Sequence, residues 1–138
     1  MTRADGRAAA IAAAAVLRAV VAVRLTTLAP LLRAPTGVPR LRPDDDALAH
    51  QATAMAFVAL HRLRRLRAWR STCLFRAVAE CLILRALGRP AVLRLGVARR
   101  GAAADVTAHA WAECPGHRCL SADGGEGAAY RPLHGSPA

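Results

Sequence analysis

The sequence predicts an α+β fold in which N-terminal helices pack against a small antiparallel sheet. Apolar residues recur at helical spacing over the first half of the chain, and Gly88 and Pro90 end this pattern. Beyond Pro90 the apolar residues alternate with other residues, as is typical of strands. A chain of 138 residues suits one domain. Within it we expect a basic helical part at 1–70, a core at 71–123 and a weakly structured tail at 124–138.

The two N-terminal helices are predicted from apolar spacing and from their flanking prolines. The first covers residues 8–32 and ends near Pro30; the second starts after Pro43 and runs to about Arg67. The acidic run 44–46 favours a helix start, because carboxylates stabilise the positive end of the helix dipole. The expected inward-facing residues are Ile11, Val16, Val20, Val23 and Leu28 in the first helix, and Leu48, Met55, Val58, Leu63 and Leu66 in the second.

A third helix is predicted over residues 73–87, capped by Ser71 and Thr72 and ended by Gly88. Arg76 and Glu80 lie four residues apart and are expected on the side away from the apolar stripe. That stripe consists of Leu74, Val78, Cys81 and Leu82, broadened by Phe75 and Ala79.

Three strands are predicted after the third helix. The first covers 91–98, with Leu93, Leu95 and Val97 on one face, and the second covers 106–113. Pro115-Gly116 is a turn signal, and residues 117–121 are expected to return as a third strand.

The net charge of +11 indicates an acidic partner or a nucleic acid. Only five residues are aromatic and they are scattered, which disfavours nucleic acid because no stacking platform is visible. Four arginines are concentrated near the end of the second helix. They indicate either a solvated basic face or a docking surface for an acidic peptide. These arginines are Arg62, Arg64, Arg65 and Arg67.

The four cysteines are expected to be reduced thiols in a cytoplasmic protein, because no convincing secretion signal precedes them. The one candidate signal, residues 8–17, is mostly alanine and is preceded by Arg3 and Arg7. Arg18 and Arg24 interrupt the apolar run soon after. A membrane span needs about 20 apolar residues without such charges, so this segment is interpreted as an ordinary helix.

Cys73 is the candidate nucleophile because it lies in the first turn of the third helix. Unpaired backbone N–H groups and the helix dipole at that position stabilise a thiolate, which is the attacking species in acyl transfer. The same N–H groups can donate to the oxyanion that forms after attack. The structural alternative is a small buried hydrophobe, a common role for cysteine.

His109 is the candidate base, on the same strand face as Trp111 and Glu113. The third member of a triad, which orients the imidazole, is expected to be Asp123. A three-residue loop after Cys114 would place Asp123 opposite His109, whereas a two-residue loop would place Ala122 there. Asp105 and Glu113 are rivals for this role.

These residues resemble the B2 proteins of lasso-peptide biosynthesis, which are transglutaminase-like cysteine peptidases related to the C-terminal part of the microcin J25 maturation protease. The matching stretches are Cys73-Leu-Phe-Arg-Ala77, Leu95-Gly-Val97, Ala108-His-Ala-Trp-Ala-Glu113 and Gly116. They cover roughly 73–123, a little over a third of the chain. The segment Cys-Pro-Gly-His-Arg-Cys after Glu113 is about one residue longer than the usual turn of the family, and the N-terminal 70 residues match only in being helical and basic.

The resemblance implies a papain- or transglutaminase-like core whose Cys-His-Asp triad maps onto Cys73, His109 and Asp123. It implies removal of a leader segment from a ribosomally made precursor, without a cofactor. It also implies two partners, a separate small leader-recognition (B1-type) protein and an ATP-dependent lasso cyclase. The residues that bind substrate are not identified by the resemblance.

Three other interpretations remain open at the level of sequence. Cys114, His117 and Cys119 could suggest zinc, but Cys-x2-His-x-Cys is not a familiar structural zinc spacing, so no metal is expected. A non-catalytic adaptor of the same fold could bind a peptide, with Cys73 and His109 incidental. A true transglutaminase would form the same acyl-enzyme and pass it to an amine.

Overall fold

The computed structural model describes residues 2–25, 27–37, 44–65, 73–100, 105–122 and 130–133. Within these residues the fold is α+β, as predicted, with three helices followed by a three-stranded antiparallel sheet. The helices are α1 (Arg3–Leu25), α2 (Asp44–Leu63) and α3 (Cys73–Ala86); the strands are β1 (Val92–Arg100), β2 (Asp105–Glu113) and β3 (Arg131–Pro132); the 3₁₀ turns are η1 (Ala29–Leu31) and η2 (Leu120–Ala122).

The sheet has the order β2-β1-β3, so β2 is an edge strand. Opposed residues in an antiparallel pair share a face. Leu93 lies opposite Ala112 and Leu95 opposite Ala110; Leu93 and the two alanines belong to the core cluster formed with the helices, and Leu95 packs against it. The next pair along, Gly96 and His109, therefore lies on the other face of the sheet. The prediction that His109, Trp111 and Glu113 share one face is confirmed.

The helical part of the core is built largely from alanine. Fully buried alanines face one another between α1 and α2, and their small side chains let the two helices approach closely. The larger apolar side chains that fill the remaining interior are Leu60, Val78, Ile83, Leu84 and Leu93. Of the predicted inward residues, Val16 and Leu48 are buried, whereas Val58 is 51% exposed, contrary to the prediction.

α1 is the one described helix that is long and apolar enough, by length and composition, to cross a membrane. Ala8, Ala12, Ala15, Val16 and Ala19 are nevertheless buried within the fold. Packing of this face against α2 and α3 gives part of its apolar character a structural role.

Both N-terminal helices end earlier than predicted. α1 ends at Leu25, and the Thr27 hydroxyl accepts a hydrogen bond from the Ala29 amide at 3.1 Å. Such a local side-chain bond competes with helical pairing, and the ring of Pro30 disfavours helix at the residue before it. α2 ends at Leu63, and the predicted residues 66 and 67 lie outside the described residues.

The predicted strand at 117–121 was wrong. Cys114 and His117 form an isolated bridge around the two-residue turn Pro115-Gly116, in which Gly116 has φ +72°. The chain then forms η2 instead of a ladder with β2. Within the tail that was predicted to be weakly structured, Arg131–Pro132 pairs with β1 as β3.

Candidate active site

Cys73 differs from the other three cysteines in its exposure. It is the first residue of α3 and is half-buried, whereas Cys81, Cys114 and Cys119 are buried. Burial raises the pKa of Cys81 to about 11 and that of Cys119 to about 12, and it also raises the pKa of Cys114. These three groups therefore remain neutral thiols near pH 7, which leaves Cys73 as the cysteine suited to attack a substrate.

His109 lies half-buried in the middle of β2, next to two aromatic rings that also contact each other. The Trp111 ring stacks with it at a centroid distance of 5.9 Å and an interplanar angle of 16°. The Tyr130 ring lies at 5.1 Å, although Tyr130 is 21 residues further along the chain. The two rings restrict the positions that the imidazole can adopt.

Gly96 makes this aromatic arrangement possible. It lies directly opposite His109 in the β1–β2 ladder. A Cβ atom at this position would lie 2.9 Å from two ring atoms of Trp111 and 3.0 Å from the Cβ of Tyr130. Because such contacts are too short, any residue other than glycine would push these rings away from the strand. The packing of Trp111 and Tyr130 next to the candidate base thus explains why the Leu95-Gly-Val97 motif has glycine at its centre.

Glu80 is the residue of this region whose position the sequence did not predict. It was expected on the solvent side of α3 with Arg76, but it is fully buried. Its two carboxylate oxygens accept hydrogen bonds from the amides of Leu120 at 2.6 Å and Ser121 at 2.8 Å. The Ser121 hydroxyl in turn accepts from the Ala112 amide of β2 at 2.8 Å. A buried carboxylate thus ties α3 to η2, and η2 to the edge strand.

These bonds also fix the position of Glu80 on α3 relative to Ala112 on β2. Cys73 precedes Glu80 by seven residues, about 10 Å along a helix, and His109 precedes Ala112 by three residues, about 10 Å along a strand. Cys73 and His109 lie on two elements that pack together, each about 10 Å along its own element from the residues that these hydrogen bonds connect.

The structure places these two residues on neighbouring elements without joining them. No hydrogen bond between Cys73 and His109 occurs among the described residues. Cys73 packs against the core, whereas His109 lies on the outer face of the sheet.

The third candidate, Asp123, lies outside the described residues. Its predicted pairing with His109 depended on the strand at 117–121, which does not form, so its role stays a prediction. Among the rivals, Glu113 is 57% exposed and bound to Arg94 at 2.6 Å. Asp105 opens β2, but its side chain is not among those described.

A second polar cluster fixes the start of α2 to the turn after β2. Asp46 pairs with the buried Arg89 and accepts a hydrogen bond from His117 Nδ1 at 2.9 Å. The bond to His117, together with the charge of Arg89, holds the pKa of Asp46 below its usual value of 3.8. His50 packs edge-on against His117 at 5.3 Å. Across the described part of the chain, no group of three or more His, Cys, Asp or Glu residues is arranged to hold a metal ion.

Comparison with known proteins identifies a family but no individual relative. The family model described as the Transglutaminase-like superfamily matches residues 9–134, which is nearly the whole chain. No curated protein and no solved structure matches the chain.

Proposed function

Because this chain belongs to the transglutaminase-like superfamily, we propose that it is a cysteine peptidase acting on a ribosomally made lasso-peptide precursor. The reaction is hydrolysis of one peptide bond, which releases the leader segment. The superfamily match is consistent with both cysteine peptidase and acyl-transfer chemistry. The narrower assignment rests on the resemblance of the Cys-Leu-Phe-Arg and His-Ala-Trp-Ala-Glu motifs.

The observation that carries the proposal is the position of Cys73. It is half-exposed at the N-terminus of α3, and α3 packs against β2, the strand that carries His109. The unpaired N–H groups of this helix end favour negative charge, both on the thiolate and on an oxyanion. No other cysteine of the chain combines exposure with such a position.

In the first half-reaction the Cys73 sulfur attacks the carbonyl carbon of the scissile bond. His109 takes the thiol proton, and the backbone amide of Cys73 donates to the oxyanion of the tetrahedral intermediate. The intermediate collapses by breaking the C–N bond. The leaving amine receives its proton from His109, and the acyl group remains on Cys73 as a thioester.

In the second half-reaction a water molecule attacks the thioester carbonyl carbon and gives a proton to His109. The C–S bond breaks, His109 returns this proton to the Cys73 sulfur, and the product leaves with its new carboxyl group. Asp123 is the proposed partner that orients the imidazole and stabilises its cation. Trp111 and Tyr130 supply side walls that limit rotation of the same ring.

Two partners belong to this proposal, a separate leader-recognition (B1-type) protein and an ATP-dependent lasso cyclase. The cytoplasm is the proposed location, in keeping with four free cysteines in the structure. An amine-accepting transferase is the second candidate function, because its acyl-enzyme forms by the same first half-reaction.

The test is cleavage of a candidate precursor by the purified chain, with and without the recognition protein. Cys73→Ser is expected to lower the cleavage rate by at least about 1,000-fold, because the hydroxyl of serine is a far weaker nucleophile in a site built for a thiolate. Cys114→Ala is the matched control, since it removes a buried thiol and should leave cleavage close to wild type.

Mass spectrometry of the product separates the two candidate functions. Peptidase activity gives a free carboxylic acid even in the presence of a primary amine such as putrescine, whereas a transferase gives the amide. Retention of precursor cleavage by Cys73→Ser would overturn the assignment of the nucleophile.

A further inference from the structure

The helical half of the molecule carries an open apolar groove between α1 and α2. Its volume is about 820 Å³, and the side chains that line it include Ala13, Ala54, Met55, Val58, Arg62 and Leu63. Several of these residues are alanines, whose side chains are too short to fill the space between the helices. We call this feature the α1–α2 groove.

Exposed apolar side chains extend the surface of the α1–α2 groove along α1. Counting from Ala13 in steps of four residues gives Leu17, Val21 and Leu25, which share one helix face. These three are 66%, 41% and 79% exposed. Exposed apolar side chains at this spacing indicate an interaction site, because burying them against a partner is favourable.

A basic depression of about 700 Å³ adjoins the α1–α2 groove and shares Val58 and Arg62 with it. Its lining adds Arg65 and Arg76, and the guanidinium of Arg76 lies 5.1 Å from the centre of the Phe57 ring. None of the described residues that line the two depressions carries a carboxylate. An occupant that complements this surface must combine apolar side chains with negative charge.

The basic depression leads towards the candidate nucleophile. Arg76 lies three residues after Cys73 on α3, so its Cα is about 5 Å further along the helix axis. A peptide that lies in the α1–α2 groove and crosses the arginines therefore approaches the N-terminus of α3. This continuity favours a substrate segment over an unrelated protein.

We propose that the α1–α2 groove and the adjoining arginines bind an acidic amphipathic segment of the peptide substrate, at a distance from the bond that is cut. Apolar side chains at helical spacing enter the groove, and carboxylates on the flank of the segment meet Arg62 and Arg65. This is the helix-in-groove mode of peptide recognition. The inference rests on the proposed function only in taking the occupant to be a substrate.

A concave site distinguishes this occupant from a membrane surface. The space between α1 and α2 admits individual side chains, whereas a flat lipid surface contacts only the rims of such a depression. The exposed residues of α1 still make lipid binding an outcome that the experiment must separate.

The experiment measures binding to the full chain carrying Cys73→Ser, so that turnover does not interfere. The probe is a fluorescein-labelled synthetic peptide with leucine at i, i+3 and i+4 spacing on one face and glutamate on the others. Saturable binding is expected by anisotropy, weakening as salt rises because ionic contacts are screened. A scrambled peptide and a peptide with lysine in place of glutamate are expected to bind at least tenfold more weakly.

Three substitutions are made in the Cys73→Ser chain to test the site. Val58→Asp and Arg62→Glu should each raise the dissociation constant at least fivefold, and Ala54→Trp should do so by filling the α1–α2 groove. Val106→Asp is the matched control, because Val106 is 62% exposed on β2, outside the groove, and should leave binding unchanged. Circular dichroism checks that each variant is folded, and Ala54→Trp remains informative if a charged variant is not.

Equal binding of the scrambled and designed peptides, or unchanged affinity in all three groove variants, would overturn the inference. Binding to phosphatidylglycerol vesicles in preference to the peptide would do the same and would assign the surface to lipid. If the wild-type chain cleaves the precursor but the designed peptide does not bind in the groove, this inference fails and the proposed function stands. If the peptide binds but the precursor is not cleaved, the proposed function fails and the groove remains a peptide-binding site.

Discussion

The contact between α1 and α2 and the contact between α3 and β2 are built in different ways. Between α1 and α2, buried alanines such as Ala12 and Ala52 supply apolar contact, which has no preferred direction, and one hydrogen bond from Gln51 to Asp5 at 2.8 Å adds to it. Between α3 and β2, the contact is also fixed by hydrogen bonds that run from Glu80 through Ser121 to Ala112. The α1–α2 contact leaves an open groove, whereas the α3–β2 contact fixes the position of α3 relative to β2.

The difference matches what each region is proposed to do. Apolar contact varies little with small shifts, which suits a surface that receives a peptide of variable shape. Hydrogen bonds weaken steeply when their geometry changes, so they suit a place where a sulfur and an imidazole must be held in register.

Glu80→Gln is the substitution that should most disturb the α3–β2 contact. Glutamine offers one acceptor oxygen and directs an NH₂ group at one of the two backbone amides, so one amide loses its partner. We expect a loss of about 2–3 kcal/mol in the free energy of unfolding, measured in urea. Precursor cleavage should fall as well, because η2 would be displaced.

Glu113→Gln is the control, since its ion pair with Arg94 is exposed and should change stability by less than about 1 kcal/mol. Equal effects of the two substitutions would contradict the importance of Glu80.

Replacing glycine by alanine should have opposite effects in α1 and in β1, the strand that pairs with β2. Gly96→Ala places a methyl group within 3.0 Å of Trp111 and Tyr130 and should cost about 1–2 kcal/mol. Gly6→Ala lies within α1 with no atom within 4 Å of the new methyl group, and should stabilise by about 0.5–1 kcal/mol because alanine favours helix. Thermal unfolding measures both, and a change of the same sign in the two variants would contradict the comparison.

The smallest expected effect concerns Asp46, which connects the start of α2 to the end of β2. The hydrogen bond from His117, helped by Arg89, lowers the pKa of Asp46, so the folded state favours the carboxylate. The stability that the Asp46 carboxylate adds to the folded state is present above the ordinary pKa of 3.8. It is lost as the pH falls through the lowered pKa of the folded state. Asp46→Asn should therefore lower the melting temperature at pH 6, and the difference from wild type should shrink below pH 3.8. A difference that is the same at pH 6 and pH 3 would show that the carboxylate charge is not involved.

Local sequence patterns predicted the elements that carry the candidate site. α3 begins at Cys73 as expected from the composition of its first turn, and the alternation in β2 correctly placed His109 and Trp111 on one face. These features depend on neighbouring residues, so a single sequence contains the information. The role of Asp123 cannot be judged in the same way, because it lies outside the described residues.

Long-range polar contacts could not be predicted in this manner. Glu80 and Arg76 have the spacing of an exposed ion pair, but the partners of Glu80 are backbone amides 40 and 41 residues away. The predicted strand at 117–121 failed for the same reason. The Ser121 amide bonds to the distant Glu80 side chain, and the Ser121 hydroxyl accepts from Ala112, so η2 forms instead of a strand. Tyr130 was missed because its packing on His109 depends on β3, a strand of only two residues.

Because Trp111 stacks on His109, tryptophan fluorescence can be used to observe the surroundings of the candidate base. Indole emission depends on the surroundings of the ring, so the fluorescence of Trp111 should change when its contact with His109 changes. In a Trp69→Phe background Trp111 would be the one remaining tryptophan. A fluorescence measurement would then report changes next to the candidate base in the resting protein, before any substrate is identified.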